Sequence, residues 1–234
     1  MATLTGRTGS ALGGDRSQGH SLAADPPCHA DVLRRVADQG GAMSETAGLL
    51  LLLSVAAQVS NGQPVKIAVA RGTAPEEATK ARLEQVLGSH DLAKYTFTRE
   101  VVIEEGARNH ALPVLTLHAG FVDSDDLLAS YVHEQIHWHL REHDIRQRRA
   151  VAELRRMYPG APVGLPDGAE SAYSTYGHLV TCYLELQAIR TLLGRERAAG
   201  VITRKRHYLW IYATVLSDET KIGGLVRAHG LAIE

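Results

Sequence analysis

The pattern of apolar positions changes character along the chain. Residues 49–59 (LLLLLSVAAQV) form an almost unbroken apolar run. Residues 65–70, 95–104 and 111–118 are short stretches rich in β-branched and apolar residues. Beyond residue 124 apolar residues recur every three or four positions, the period of helices with one buried face.

Read element by element, 65–70 (VKIAVA) predicts a strand. Residues 74–87 predict a helix, with Pro75 near its start, Glu76 and Glu77 in its first turn and Gly88 just past its end. Residues 95–104 (YTFTREVVIE) and 111–118 (ALPVLTLH) read as two more strands. Pro113 has no N–H to give to a ladder, which makes 111–118 an edge strand. Gly106 and Asn109 between them suit a hairpin turn. Helices follow over 125–140, over a charged stretch that continues or restarts near Asp144 and runs to 157, and over 170–193, closed by Gly194. Residues 158–168 (YPGAPVGLPDG) are a loop. A further helix spans 204–216, and Ser217 is placed to cap a last one through 228. The expected fold class is α+β: a small mixed sheet with an edge strand, followed by a mainly helical half. Residues 62–234 form the domain, with 62–123 its α/β part and 124–234 its helical part.

Composition limits the ends and the partners. Residues 1–42 are rich in Gly, Ser, Ala, Asp and Pro and predict a disordered tail. Residues 43–60 resemble a leader: the apolar run has signal-peptide length, is too short to span a bilayer, and carries the small residues Ala56 and Ala57. It starts late, and Met43 is followed by Glu45, so either Met43 is the start or Arg34 and Arg35 are the positive flank. A buried core helix is the alternative. The protein is exported if the leader is genuine and cytoplasmic otherwise. Cys28 and Cys182 form no C-x-x-C pair. A net charge of -1 gives no global field for nucleic acid or anionic membrane. The basic cluster Arg146, Arg148, Arg149, Arg155 and Arg156 is interleaved with Asp144 and Glu153 and reads as a solvated helix face. We expect no nucleic-acid partner and no stable membrane span.

One number stands out. Twelve of the 234 residues are His, and five lie between His118 and His143. Residues 133–137 read His-Glu-Gln-Ile-His, the pattern H-E-x-x-H. On a helix, His133 and His137 sit one turn apart on one face and can bind one zinc ion. Glu134 is rotated by about 100° from His133, which suits a general base better than a ligand. Zinc lowers the pKa of its water to about 7, and the carboxylate takes the proton as hydroxide attacks a carbonyl. A di-iron bundle needs a second E-x-x-H, and only Glu134 has His three residues on.

An α/β unit, an edge strand, an H-E-x-x-H helix and a helical half together resemble the zincin metallopeptidases, over roughly residues 64–216. The resemblance implies a Zn2+ cofactor, a peptide or protein substrate that pairs with the edge strand 111–118, and peptide-bond hydrolysis with Glu134 as base. The third ligand separates two branches. In metzincins a His follows at the position of His143, after a glycine that turns the chain back. Here Leu140 stands in place of that glycine, so the helix runs on and carries His143 away. In gluzincins the third ligand is a Glu on a later helix, and Glu185, set among Leu184, Leu186 and Ile189, is the candidate. If Glu185 faces away, His178 is next. The same branch implies a Tyr or His that stabilises the oxyanion: His178 or Tyr176, with His207 and Tyr208 competing. The alternative function is a zinc-stabilised binding domain that hydrolyses nothing.

Overall fold

The computed structural model describes residues 64–234; the tail at 1–42 and the leader-like segment at 43–60 lie outside the described residues. Three strands, β1 (Lys66–Val69), β2 (Glu100–Glu104) and β3 (Leu115–His118), form a sheet in the order β1-β2-β3. Seven α-helices accompany them among the described residues: α1 (Ala74–Ser89), α2 (Ser124–Glu142), α3 (Asp144–Met157), α4 (Ala172–Leu193), α5 (Arg195–Arg204), α6 (Leu209–Ser217) and α7 (Glu219–Ala228). The architecture is α+β and mostly helical. No helix among the described residues is long and apolar enough to cross a membrane.

The sheet corrects two expectations. Both strand pairs are parallel, so the described sheet is not mixed, and β2 and β3 are not the arms of a hairpin. The turn expected near Gly106 does reverse the chain, but it delivers it to the far side of β3. There His110 pairs antiparallel with Thr116, by Thr116 N–H to His110 O at 2.8 Å and His110 N–H to Thr116 O at 3.0 Å. Asn109 adds a side-chain bond, its Oδ1 accepting from His118 N–H at 2.8 Å. The outward backbone groups of β3 are thus largely taken by its own incoming segment.

Two buried polar side chains fix the α/β part. Glu76, in the first turn of α1, accepts from the N–H groups of Arg71 and Gly72 at 2.8 Å and of Glu105 at 3.0 Å, joining the helix start to the end of β2. Burial pushes its carboxyl up, but these backbone donors outweigh it and hold it below the ordinary value. Gln135, wholly buried on α2, accepts from Phe97 N–H at 2.7 Å and Thr98 N–H at 2.8 Å and donates to Thr98 O at 2.8 Å. This side-chain capture explains why the strand expected over 95–104 begins only at Glu100: the backbone of 97–98 is already hydrogen-bonded to a helix. Gln135→Ala leaves those groups unpaired. We expect it to lower unfolding stability by about 1–3 kcal/mol, read as a shift in the denaturant midpoint at unchanged slope.

The helical half centres on α4, which packs against α2, α3, α5, α6 and α7 and is buried along most of its length. Ser171 Oγ caps it by accepting from Ser174 N–H at 3.1 Å. Gly194, at φ 82°, ends it and lets the chain restart at once as α5, a helix the sequence reading lacked. The helix expected over 204–216 accordingly begins at Leu209. Asp218, not Ser217, separates α6 from α7. Helix α2 starts at the cap Asp123 and buries Leu127, Leu128, Tyr131, Val132, Ile136 and Leu140. The core therefore holds the motif face of α2 directly against α4.

Candidate metal centre

One turn of α2 brings His133 Nε2 and His137 Nε2 to 3.3 Å from each other. Two nitrogens each about 2.05 Å from a tetrahedral zinc ion stand about 3.3 Å apart, so the separation matches a shared ion. His178, on α4, completes the group. One ligand atom from each of His133, His137 and His178 lies within 4.8 Å of the other two.

The outer nitrogens explain how these rings are aimed. His178 Nδ1 donates to Ser174 O, one turn earlier on α4, at 2.8 Å, which leaves Nε2 with its lone pair toward the α2 histidines. His133 Nδ1 lies 2.7 Å from Glu185 Oε2. A carboxylate there requires the proton on Nδ1 and again bares Nε2. Burial depresses the pKa of His178 to about 4, helped by the neighbouring His133, and drives His137 well below its usual value, helped by His133 and His178. Neutral, convergent imidazoles are the form that binds a cation.

Glu185, the expected third ligand, therefore occupies a different place. It touches the outer nitrogen of His133, and both its oxygens are committed: Oε2 also accepts from Tyr212 OH at 2.7 Å, and Oε1 binds Lys205 Nζ at 2.8 Å. Burial alone would raise its carboxyl, yet Lys205 and His133 hold it well below the usual carboxylate range. Glu185 thus holds the outer nitrogen of His133, while His178 is the residue grouped with both motif histidines. Cys182 also approaches His133 and Glu185. That trio is a poor metal site, because burial pushes the Cys182 thiol far up and Lys205 already supplies the positive charge. His143 caps the C-terminus of α2 and bonds its own helix, its Nδ1 lying 2.9 Å from His139 O.

The tyrosine assignment changes as well. Tyr176 donates to Tyr158 O at 2.8 Å, pinning the loop after α3, and does not line the cleft. Tyr208 does line it. Its ring centroid is 4.4 Å from that of His178 and 6.2 Å from that of His133. Tyr208 is also the only non-glycine residue at positive φ among the described residues, at 63°. A left-handed tyrosine costs about 1–3 kcal/mol, and such strain collects where a side chain must point somewhere in particular. Burial first, then the nearby acidic groups, raises its hydroxyl pKa, so it stays a proton-bearing donor. His207, the other competitor, lines the cleft but is exposed.

Glu134 is buried to 6% exposure, borders the same cleft and has no hydrogen-bond partner among the described residues. Burial raises its carboxyl pKa, with His133 pulling the other way. The cleft, about 1120 Å³, runs between the 107–112 segment, α2, the start of α4 and the 205–208 segment. The sequence offers His178 as an oxyanion candidate and as the ligand next in line after Glu185, and Tyr208 as a competing oxyanion candidate; Lys205 has no signal, since a lysine between two helices ordinarily marks a surface turn. The spacing of His178 and Glu185, seven residues and so two turns on one face, is the signal that joins them: both reach His133 of the α2 motif. The chain matches no family model, no curated protein and no solved structure.

Proposed function

We propose that the protein is a zinc-dependent peptidase with His133, His137 and His178 as metal ligands and Glu134 as general base. The observation that carries this is the partnerless, buried Glu134 carboxylate beside three convergent imidazoles at the floor of an open cleft. A purely structural zinc site is closed by protein ligands, whereas three ligands and an accessible fourth position suit catalysis. Zinc bound there supplies Lewis acidity and a water of pKa near about 7. Glu134, its pKa raised by burial, accepts the proton of the attacking water and returns it to the leaving amine. Tyr208 donates its hydroxyl proton in a hydrogen bond to the carbonyl oxygen as that oxygen gains charge. Glu185 keeps the His133 Nδ1 proton in place throughout, its own charge balanced by Lys205.

This reading departs from the gluzincin pattern in one ligand, with a His on the later helix in place of the Glu. The substrate-pairing edge also moves. Because His110 and Asn109 cover the outward side of β3, an extended substrate pairs instead along the 107–112 segment, which borders the cleft.

The test is cleavage of a peptide library by zinc-loaded protein, with a chelator control. Chelator-sensitive cleavage supports the reading, and absence of cleavage across the library contradicts it. In the same assay Tyr208→Phe should keep the zinc and slow turnover by about 10²–10³-fold, with KM little changed. Full activity of the phenylalanine variant removes Tyr208 from the mechanism.

A further inference from the structure

We infer that the cleft selects acidic polypeptide segments through Arg108, Arg141 and Arg206, an inference that rests on the peptidase reading above. The three arginines come from three walls: the segment entering β3, the last turn of α2, and the chain between α5 and α6. All border the cleft and are exposed. None of their guanidinium groups has an ion-pair or hydrogen-bond partner among the described residues. Arg141 only rests over Trp138, 5.9 Å from its ring centroid.

The other cleft charges are mostly spent. Asp144 pairs with Arg148, and Lys205 with Glu185. Glu170 is the exception: its own backbone N–H and Ser174 keep its carboxyl below the ordinary value and so ionised, which leaves one exposed anion at the start of α4 against the three arginines. Glu134 belongs to the reaction. The cleft therefore offers three free, forked carboxylate binders in a chain whose overall charge is -1.

A polypeptide fits better than a small anion. The mouth carries partly exposed Leu112, Leu165 and Tyr173, at 38%, 51% and 53%, on both sides of the cleft. Apolar side chains and arginines lining one cleft suit a chain that carries both apolar and acidic side chains. The volume also exceeds that of a typical small-molecule pocket, about 300–1,000 Å³.

The experiment measures binding of fluorescent peptides to the full-length protein by anisotropy. Peptides carrying glutamates are compared with glutamine counterparts, on zinc-loaded and on metal-free protein, and on Arg108→Gln/Arg141→Gln/Arg206→Gln. We expect the glutamate peptides to bind about tenfold tighter in both metal states, with the gap narrowing as salt rises and closing in the triple variant. Melting curves of the triple variant matching those of the parent confirm that these surface changes leave the fold intact, and each single variant should close part of the gap. Equal binding of the two peptide sets overturns the inference. So does a preference that exists only with zinc present, which makes the metal the carboxylate receptor, or one that survives in the triple variant. An acidic preference without any hydrolysis removes the peptidase reading alone, whereas hydrolysis that is indifferent to charge removes this inference alone.

Discussion

Replacing His178 with alanine should strip zinc from the protein, while replacing Glu185 with glutamine should only loosen its hold. The two residues share one helix and both approach His133. His178 offers a bared nitrogen to the space shared with His133 and His137. Its loss leaves two ligands and an unfilled coordination position, and affinity should fall by several orders of magnitude. Glu185 acts on Nδ1 of His133, through a bond of 2.7 Å. Losing such an outer partner costs typically about 10–100-fold in metal affinity. Glutamine keeps the shape and can still accept from Nδ1–H, so Glu185→Gln belongs at the mild end of that range. It also leaves Lys205 facing a neutral amide, and some stability should be lost with the ion pair. Competition titrations with a chromogenic chelator measure both variants on one scale. The reverse order, with Glu185→Gln losing zinc and His178→Ala retaining it, would restore the glutamate as third ligand.

Glu134→Gln should abolish hydrolysis with metal content unchanged. The amide is isosteric with the acid, and among the described residues Glu134 makes no hydrogen bond whose loss would disturb α2. What disappears is the ability to accept and return a proton, a function worth about 10²–10⁴-fold in turnover. The loss should fall on kcat rather than KM, since Glu134 acts on the water and not on the substrate ground state. Measuring zinc and turnover on the same preparation separates this outcome from simple metal loss. Retained turnover would remove Glu134 as base and favour a domain that holds metal for binding or stability.

Much of the framework was legible because it follows from local rules. Pro75 and the acidic first turn mark α1, the apolar stripe from Leu127 to Leu140 marks α2, and Gly194 closes α4. The H-E-x-x-H spacing alone placed two imidazoles on one face. The misreadings share a cause: each depends on which group a polar side chain meets at long range. Gln135 captures the 97–98 backbone and shortens a strand. His110 folds onto Thr116, so a turn that looks like a hairpin delivers the chain across β3. Glu185 looked like a ligand because a buried carboxylate needs a cation. In the structure Lys205, twenty residues on and unremarkable in sequence, supplies one. Tyr208 acquires its place from a left-handed backbone that no propensity rule assigns to tyrosine.

The central claim is a metal held by three imidazoles. X-ray absorption at the zinc edge, on protein whose metal content has been measured, tests it most directly. The account predicts about one zinc per chain, with a first shell of three imidazole nitrogens at about 2.0–2.1 Å and one exchangeable oxygen from solvent. In His178→Ala the residual signal should lose one imidazole. A protein that binds no stoichiometric metal, or a first shell of two imidazoles with a carboxylate that disappears in Glu185→Gln, would contradict it.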